Sequence, residues 1–151
     1  MHPDPGKTIG GGFLGTLAMT AMMYFVAPMM GLRMDIAAML GDTLGIGWSG
    51  GLLAHVFNGT FVFPLVYGFV LAHLLPGSPA VKGAAWGVIL WLAAQLVVMP
   101  MMGAGLFSAA AGGMMAAVGS LVGHLLYGAV LGAVAGQAVP TVTTTLSSSN
   151  T

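Results

Sequence analysis

The sequence predicts an all-α integral membrane protein with four transmembrane helices, and three observations predict it. Hydrophobic residues fill 58% of the 151 positions and charged residues only 4%, against roughly 25% charged in a soluble domain. Three acids and three bases cannot clothe a water-soluble chain of this length, so lipid is the solvent for most of its exterior. Four apolar runs follow one another, each long enough to cross a hydrocarbon core of about 30 Å. Finally, motifs in the first half recur in the second, which predicts two tandem two-helix repeats.

The elements follow in order. Residues 1–8 read as a short polar leader with His2, two prolines, Asp4 and Lys7. The first span covers about 9–30, with Gly11 and Gly15 as a GxxxG contact face and Pro28 loosening its last turn. Between Gly31 and Gly50 the chain is less apolar and carries Arg33, Asp35, Asp42 and Trp48. Met34 and Ile36 to Leu40 suit a short amphipathic helix at the interface. The second span covers about 51–75, kinked at Pro64. Pro76, Gly77, Ser78 and Pro79 make a tight turn. A third span over about 81–99 carries the pair Gly83 and Gly87, and 101–113 is a second irregular or interfacial segment. The fourth span covers about 114–138 and stops at Pro140, so the membrane domain is 9–140. Residues 141–151 are a Ser/Thr-rich tail expected to be disordered.

The repeat fits this division. Pro28-Met29-Met30-Gly31 recurs as Pro100-Met101-Met102-Gly103, and the same offset of 72 carries Gly11 onto Gly83 and Gly15 onto Gly87. Gly51-Leu52-Leu53-Ala54-His55-Val56-Phe57-Asn58-Gly59 recurs as Ser120-Leu121-Val122-Gly123-His124-Leu125-Leu126-Tyr127-Gly128, at an offset of 69. Two spans per copy make both copies enter from one side, related by a parallel pseudo-two-fold along the membrane normal. Lys7 and Lys82 fall on one side and Arg33 on the other. The preference of Lys and Arg for the cytoplasm then places both termini inside.

Each copy of the second motif sets a histidine in an apolar span, and an ionisable group there is by default a functional-site hypothesis. His55 and His124 sit at matching positions and are expected to face each other. Haem b is one ligand for the pair, because bundles hold cofactors between facing helices and imidazole is a common axial ligand. Gly59 and Gly128 would leave room for a macrocycle, Asn58 and Tyr127 would flank it, and Arg33 is the cation on that side for its propionates. Copper is the other ligand, with Met30 and Met102 adding soft thioethers to the two imidazoles. A third reading binds nothing: the histidines pair with carbonyls or water, the methionines are apolar filler, and the glycines pack helices. His73 has Val142 as its counterpart and reads as interfacial.

Much is excluded. Zero net charge gives no handle for nucleic acid. The absence of cysteine rules out disulfides and thiolate chemistry. No carboxylate pair, Ser-His-Asp set or phosphate loop is present, and no acid lies within a span to drive a proton- or ion-coupled transporter.

The runs from Gly15-Thr16-Leu17-Ala18-Met19-Thr20 to Pro28-Met29-Met30-Gly31 and from Trp86-Gly87 to Pro100-Met101-Met102-Gly103, with His124-Leu125-Leu126-Tyr127-Gly128, resemble an uncharacterised family of small four-span bacterial membrane proteins. The resemblance covers nearly all of the chain between the tails. It implies the bacterial inner membrane and supplies no activity or ligand. The sequence reading is therefore a non-catalytic accessory or cofactor-binding membrane subunit with a paired-histidine site. The alternatives are a structural or assembly protein without a ligand, and a transporter of a small solute or metal. The expected partners are the lipid bilayer, other membrane subunits or a second copy of the chain.

Overall fold

A computed structural model describes residues 4–32 and 35–136. His2, Arg33, Met34, Pro140 and the tail 141–151 lie outside the described residues. Four helices are long and apolar enough to cross a membrane: α1 (Pro5–Met30), α3 (Gly47–Leu74), α4 (Pro79–Met101) and α5 (Gly113–Ala135). A shorter helix, α2 (Ile36–Leu44), lies between the first two, and a 3-10 turn at Leu106–Ser108 links the last two. Among the described residues there is no strand.

Each helix starts where a cap or a glycine lets it. The Asp4 side chain accepts from the Lys7 N–H at 3.0 Å, with Pro5 at the first helical position, where a missing N–H costs nothing. The segment read as a polar leader is therefore helical from Pro5 onward. Thr8 is 2% exposed, and a Cβ on Gly68 would lie 3.1 Å from its methyl group, so residues 5–8 are part of the bundle. The second span begins at Gly47 rather than 51, because Gly45 (φ 68°) and Gly47 (φ 67°) take left-handed backbone that other residues resist. The third begins at Pro79 and runs through Pro100 to Met101.

Proline shapes three spans in one way. It lacks an N–H, and its ring clashes with the carbonyl four residues back. The chain answers with π-helical turns at Met22–Val26, Asn58–Val62 and Ala94–Val98, each centred four residues before Pro28, Pro64 or Pro100. A widened turn relieves the clash without breaking the helix. A fourth π turn, Tyr67–Leu71, has no such proline, and the structure offers no cause for it. α5 is free of proline and continuous over 23 residues.

α5 is the central helix, wedged between α1 and α4. Gly83 and Gly87 press against the carbonyls of Gly128 and His124, and a Cβ on Gly83 would come 2.7 Å from the Gly132 Cα. On its other side, a Cβ on Gly15 would lie 2.7 Å from the Tyr127 carbonyl oxygen, and one on Gly11 2.9 Å from that of Leu131. Dispersion at such separations drives helix association in lipid, where hydrophobicity no longer does. Gly12 meets the Gly59 carbonyl and Pro64 in the same way, joining α1 to α3. α2 lies on the start of α3 through Gly41 against Gly47 and Gly51 against Ala37. Tyr67, Trp86, Tyr127, Leu131 and Ala135 form the buried apolar cluster.

The seam yields a prediction. Gly83→Leu forces α4 off α5 and lowers thermal stability in detergent by about 1–3 kcal/mol, the usual cost of overpacking. Gly10→Ala, where a Cβ meets nothing within 4 Å, is neutral or stabilises by about 0.5–1 kcal/mol. Equal melting of the two variants would contradict the seam.

Candidate functional site

His55 lies on α3 one turn before its first π turn, and His124 lies near the middle of α5. Both are half-buried, and both line a single cavity of about 410 Å³. The α1 wall carries Thr16, Met19, Met22 and Met23, and the α4 wall Leu90, Ala94, Val98 and Met99. Ile36 and Leu40 of α2 close one side, and Gly119 and Gly123 of α5 border the space beside His124, packed against Leu32, Met19 and Met22. Residues from the three proline-linked π turns (Met22, Asn58 and Ala94 among them) all border this space.

The two imidazoles are held differently. His124 Nδ1 lies 2.7 Å from the Ser120 carbonyl oxygen and 3.3 Å from Ser120 Oγ. A carbonyl only accepts, so Nδ1 carries the proton in that bond and Nε2 of the neutral ring is left as a bare lone pair. A histidine that ligates a metal commonly has this outer partner, which fixes the ring and raises its basicity. His55 Nε2 lies 3.2 Å from Thr20 Oγ1 and is hydrogen-bonded to it.

Tyr127 and Asn58, at matching positions in the two motifs, take separate roles. In the π turn the Phe63 N–H donates to the Asn58 carbonyl. The next N–H would belong to Pro64, so the Gly59 carbonyl has no backbone donor. The Tyr127 hydroxyl donates to it at 2.8 Å. The Asn58 side chain lines the cavity and makes no hydrogen bond among the described residues.

The structure thus brings His55, His124, Gly59, Asn58 and Tyr127 to one cavity, and it places three of the expected site residues elsewhere. Gly128 faces α4, where a Cβ would lie 2.9 Å from the Gly83 carbonyl carbon. Met30 is 65% exposed on the last turn of α1, and Met102 follows the end of α4 away from the cavity lining. The cavity thioethers are Met19, Met22, Met23 and Met99. Arg33 lies outside the described residues. Among the described residues no group of three or more His, Asp or Glu could hold a metal ion.

A polar knot beside the cavity was not evident in the sequence. Asp35 caps α2 by accepting from the Ala38 N–H at 3.0 Å. It also accepts from the Tyr24 hydroxyl at 2.8 Å and the Trp48 indole N–H at 3.0 Å. One carboxylate therefore ties α1, α2 and α3 together. Burial pushes its pKa up, but the Ala38, Tyr24, Trp48 and Ala37 hydrogen bonds outweigh burial and hold it below the ordinary 3.8. Across the bundle, the buried Ser108 hydroxyl donates to Gln95 Oε1 at 2.9 Å, from a loop where Phe107 and Ser108 take left-handed backbone.

With this geometry in view, the sequence match is decisive. The family of unknown function DUF6789 matches residues 3–145. The chain belongs to that family. No curated protein and no solved structure matches the chain. Membership in DUF6789 carries no activity, so function rests on the cavity itself.

Two predictions follow from these bonds. Tyr127→Phe leaves the Gly59 carbonyl without a donor in a water-free setting, and stability falls by about 1–3 kcal/mol; an unchanged melting temperature would refute that role. A carboxyl whose pKa is lowered by folding stabilises the fold fully above its unfolded value, and that contribution is lost as pH falls through the folded one. Asp35→Ala is therefore less stable than wild type at neutral pH, and the gap closes as pH drops below 3.8. A gap that stayed constant into stronger acid would deny the carboxylate this part.

Proposed function

We propose that the protein is a non-catalytic, membrane-embedded cofactor-binding protein that holds haem b between α3 and α5, with His55 and His124 on either side of the bound group. The observation that carries this reading is that two imidazoles from separate helices border one cavity, one of them with a bare Nε2 fixed by a backbone carbonyl. A volume of about 410 Å³ falls in the range of small-molecule and cofactor pockets, roughly 300–1,000 Å³. It is far more than a single ion needs. The lining is largely apolar, from Met19, Met22 and Met23 to Leu90, Ala94 and Val98, which suits a macrocycle. Bound haem would supply redox or ligand-binding chemistry at its iron.

Copper is the second reading, favoured by one observation. Met19, Met22, Met23 and Met99 line the same cavity as the two histidines, and thioether with imidazole suits Cu(I). Transport has less support, because Asp35 and Asp42 both lie outside the four spans.

Gene duplication gives this site its form in our reading. The π turns Met22–Val26 and Ala94–Val98 stand 72 residues apart, as the sequence repeat does. Gly31 (φ 76°) and Gly103 (φ 77°) end α1 and α4 alike, each N–H donating at 3.0 Å to the carbonyl of the proline three residues before. We place the protein in the bacterial inner membrane with both termini cytoplasmic, from the resemblance noted above and from Lys7 and Lys82 at one end of the bundle.

Titration of the purified protein with haem b tests the proposal. A saturable one-to-one Soret band is expected, lost in the double variant His55→Ala/His124→Ala and retained in His73→Ala. No Soret change, or one that survives the double variant, ends the haem reading. Copper found by elemental analysis after Cu(I) loading, and absent from the double variant, would favour the second.

A further inference from the structure

The segment Asp35–Phe57 packs closely on itself and sparingly on the rest of the bundle. Its buried residues are Ala37, Gly41 and Gly51, and they meet one another. A Cβ on Gly51 would run into the Ala37 carbonyl and the Gly41 N–H, and one on Gly41 into the Gly47 carbonyl. α2 and the first three turns of α3 therefore make one stiff hairpin. Beyond Phe57 the same span is anchored. Gly59, Thr60, Pro64, Tyr67 and Gly68 are buried, with Gly59 against Thr16, Pro64 against Gly12 and Gly68 against Thr8 of α1. The change falls at the π turn Asn58–Val62, and π turns and prolines are where helices bend. Ahead of the hairpin, Gly31 takes left-handed backbone (φ 76°), and a Cβ there would meet nothing within 4 Å.

What ties the hairpin to α1 is polar and sparse. The Tyr24 hydroxyl donates to Asp35 at 2.8 Å, Thr20 Oγ1 is hydrogen-bonded to His55 Nε2 at 3.2 Å, and the Tyr24 ring centre lies 6.4 Å from that of Trp48. The corresponding part of the second half is fastened more firmly. Ser108 is fully buried and donates to Gln95. The Trp91 indole N–H donates to the Ala117 carbonyl at 2.9 Å, and Ala116 and Ala117 are buried at the start of α5.

We infer that Asp35–Phe57 is a hinged flap that opens the cavity sideways to the lipid, pivoting at Asn58–Val62 and latched to α1 by Tyr24 and Thr20. Ile36 and Leu40 of α2 and His55 of α3 are cavity wall, so moving the hairpin as one body parts that wall from α1 and α5. Segments with few buried contacts are the ones that open at low cost, and a few residues at the end of an element suffice as a hinge. A guest dissolved in the membrane then reaches the cavity without crossing water. The flap serves whatever the cavity holds and does not rest on the haem reading.

Distances between paired spin labels in the full-length protein in lipid nanodiscs test this, and the chain has no cysteine to remove first. Leu53→Cys with Val122→Cys joins the flap to α5, Leu44→Cys with Leu53→Cys lies within the flap, and Phe69→Cys with Val122→Cys lies beyond the hinge; all four positions are exposed. The first pair is expected to show a main distance and a minor, longer one. Tyr24→Phe and Thr20→Val, which each remove one latching hydroxyl, raise the open-to-closed ratio about fivefold apiece, the weight of one hydrogen bond. The other two pairs keep a single distance in every variant. A Leu53–Val122 distance that stays single in wild type and in both latch variants overturns the flap. A second distance shared by the Phe69–Val122 pair also overturns it, because the whole bundle is then loosening. A second distance in the Leu44–Leu53 pair does so too, because the hairpin is then not one body.

Discussion

A carbonyl that loses its backbone donor inside hydrocarbon has no water to turn to, and much of this bundle follows from that constraint. Pro28, Pro64 and Pro100 each remove an N–H from a spanning helix. The chain widens the preceding turn to π geometry each time. Where a carbonyl is still left over, as at Gly59, a side chain from another helix is brought to it, and Tyr127 does this. The three proline-linked turns border one cavity, so the same device that keeps the helices intact also lies where space opens between them.

The glycine seams set the opposite limit. α5 touches α4 and α1 backbone to backbone through Gly83, Gly87, Gly11 and Gly15, which closes the bundle on both sides of the central helix. The cavity lies where that closure stops. On α5 the face beside His124 meets side chains in place of backbone: a Cβ on Gly123 would lie 3.2 Å from the Met22 methyl, and one on Gly119 2.8 Å from Leu32 Cδ1. Methionine adapts to irregular space and also offers a soft donor. α2 lies over the opening and is fastened by the Asp35 bonds to Tyr24 and Trp48, so the space is bounded by short-range packing on every helix of the fold.

The four spans were legible in the sequence because composition and run length decide them almost alone. The histidines were legible because an imidazole is conspicuous among so few polar residues, and the repeat motif brought them to notice together. Facing directions were not legible. With nearly every position apolar, periodicity does not separate the cavity side of a helix from the lipid side, and a π turn shifts the register by one residue beyond each proline. Met30, beyond the π turn of α1, is 65% exposed, whereas Met22 and Met99 line the cavity. Gly128 was misplaced for a related reason: a glycine beside a histidine serves a ligand or a neighbouring helix equally well, and only the approach of Gly83 decides it. The Asp35 knot joins residues 11 and 13 positions apart across a turn, a spacing no helical pattern reveals. Residues 5–8 read as part of the leader 1–8 because charge there outweighed the cap signal of Asp4 and Pro5.

The claim on which the functional account stands is that His55 and His124 look onto the same bound group. Nitrogen-15 spectra of histidine-labelled protein in lipid bilayers, taken before and after saturation with diamagnetic zinc protoporphyrin, measure this directly. The account predicts that the ring resonances of both His55 and His124 move while those of His73 stay in place. Shifts confined to His73, or resonances of the two cavity histidines unmoved by the porphyrin, would contradict it.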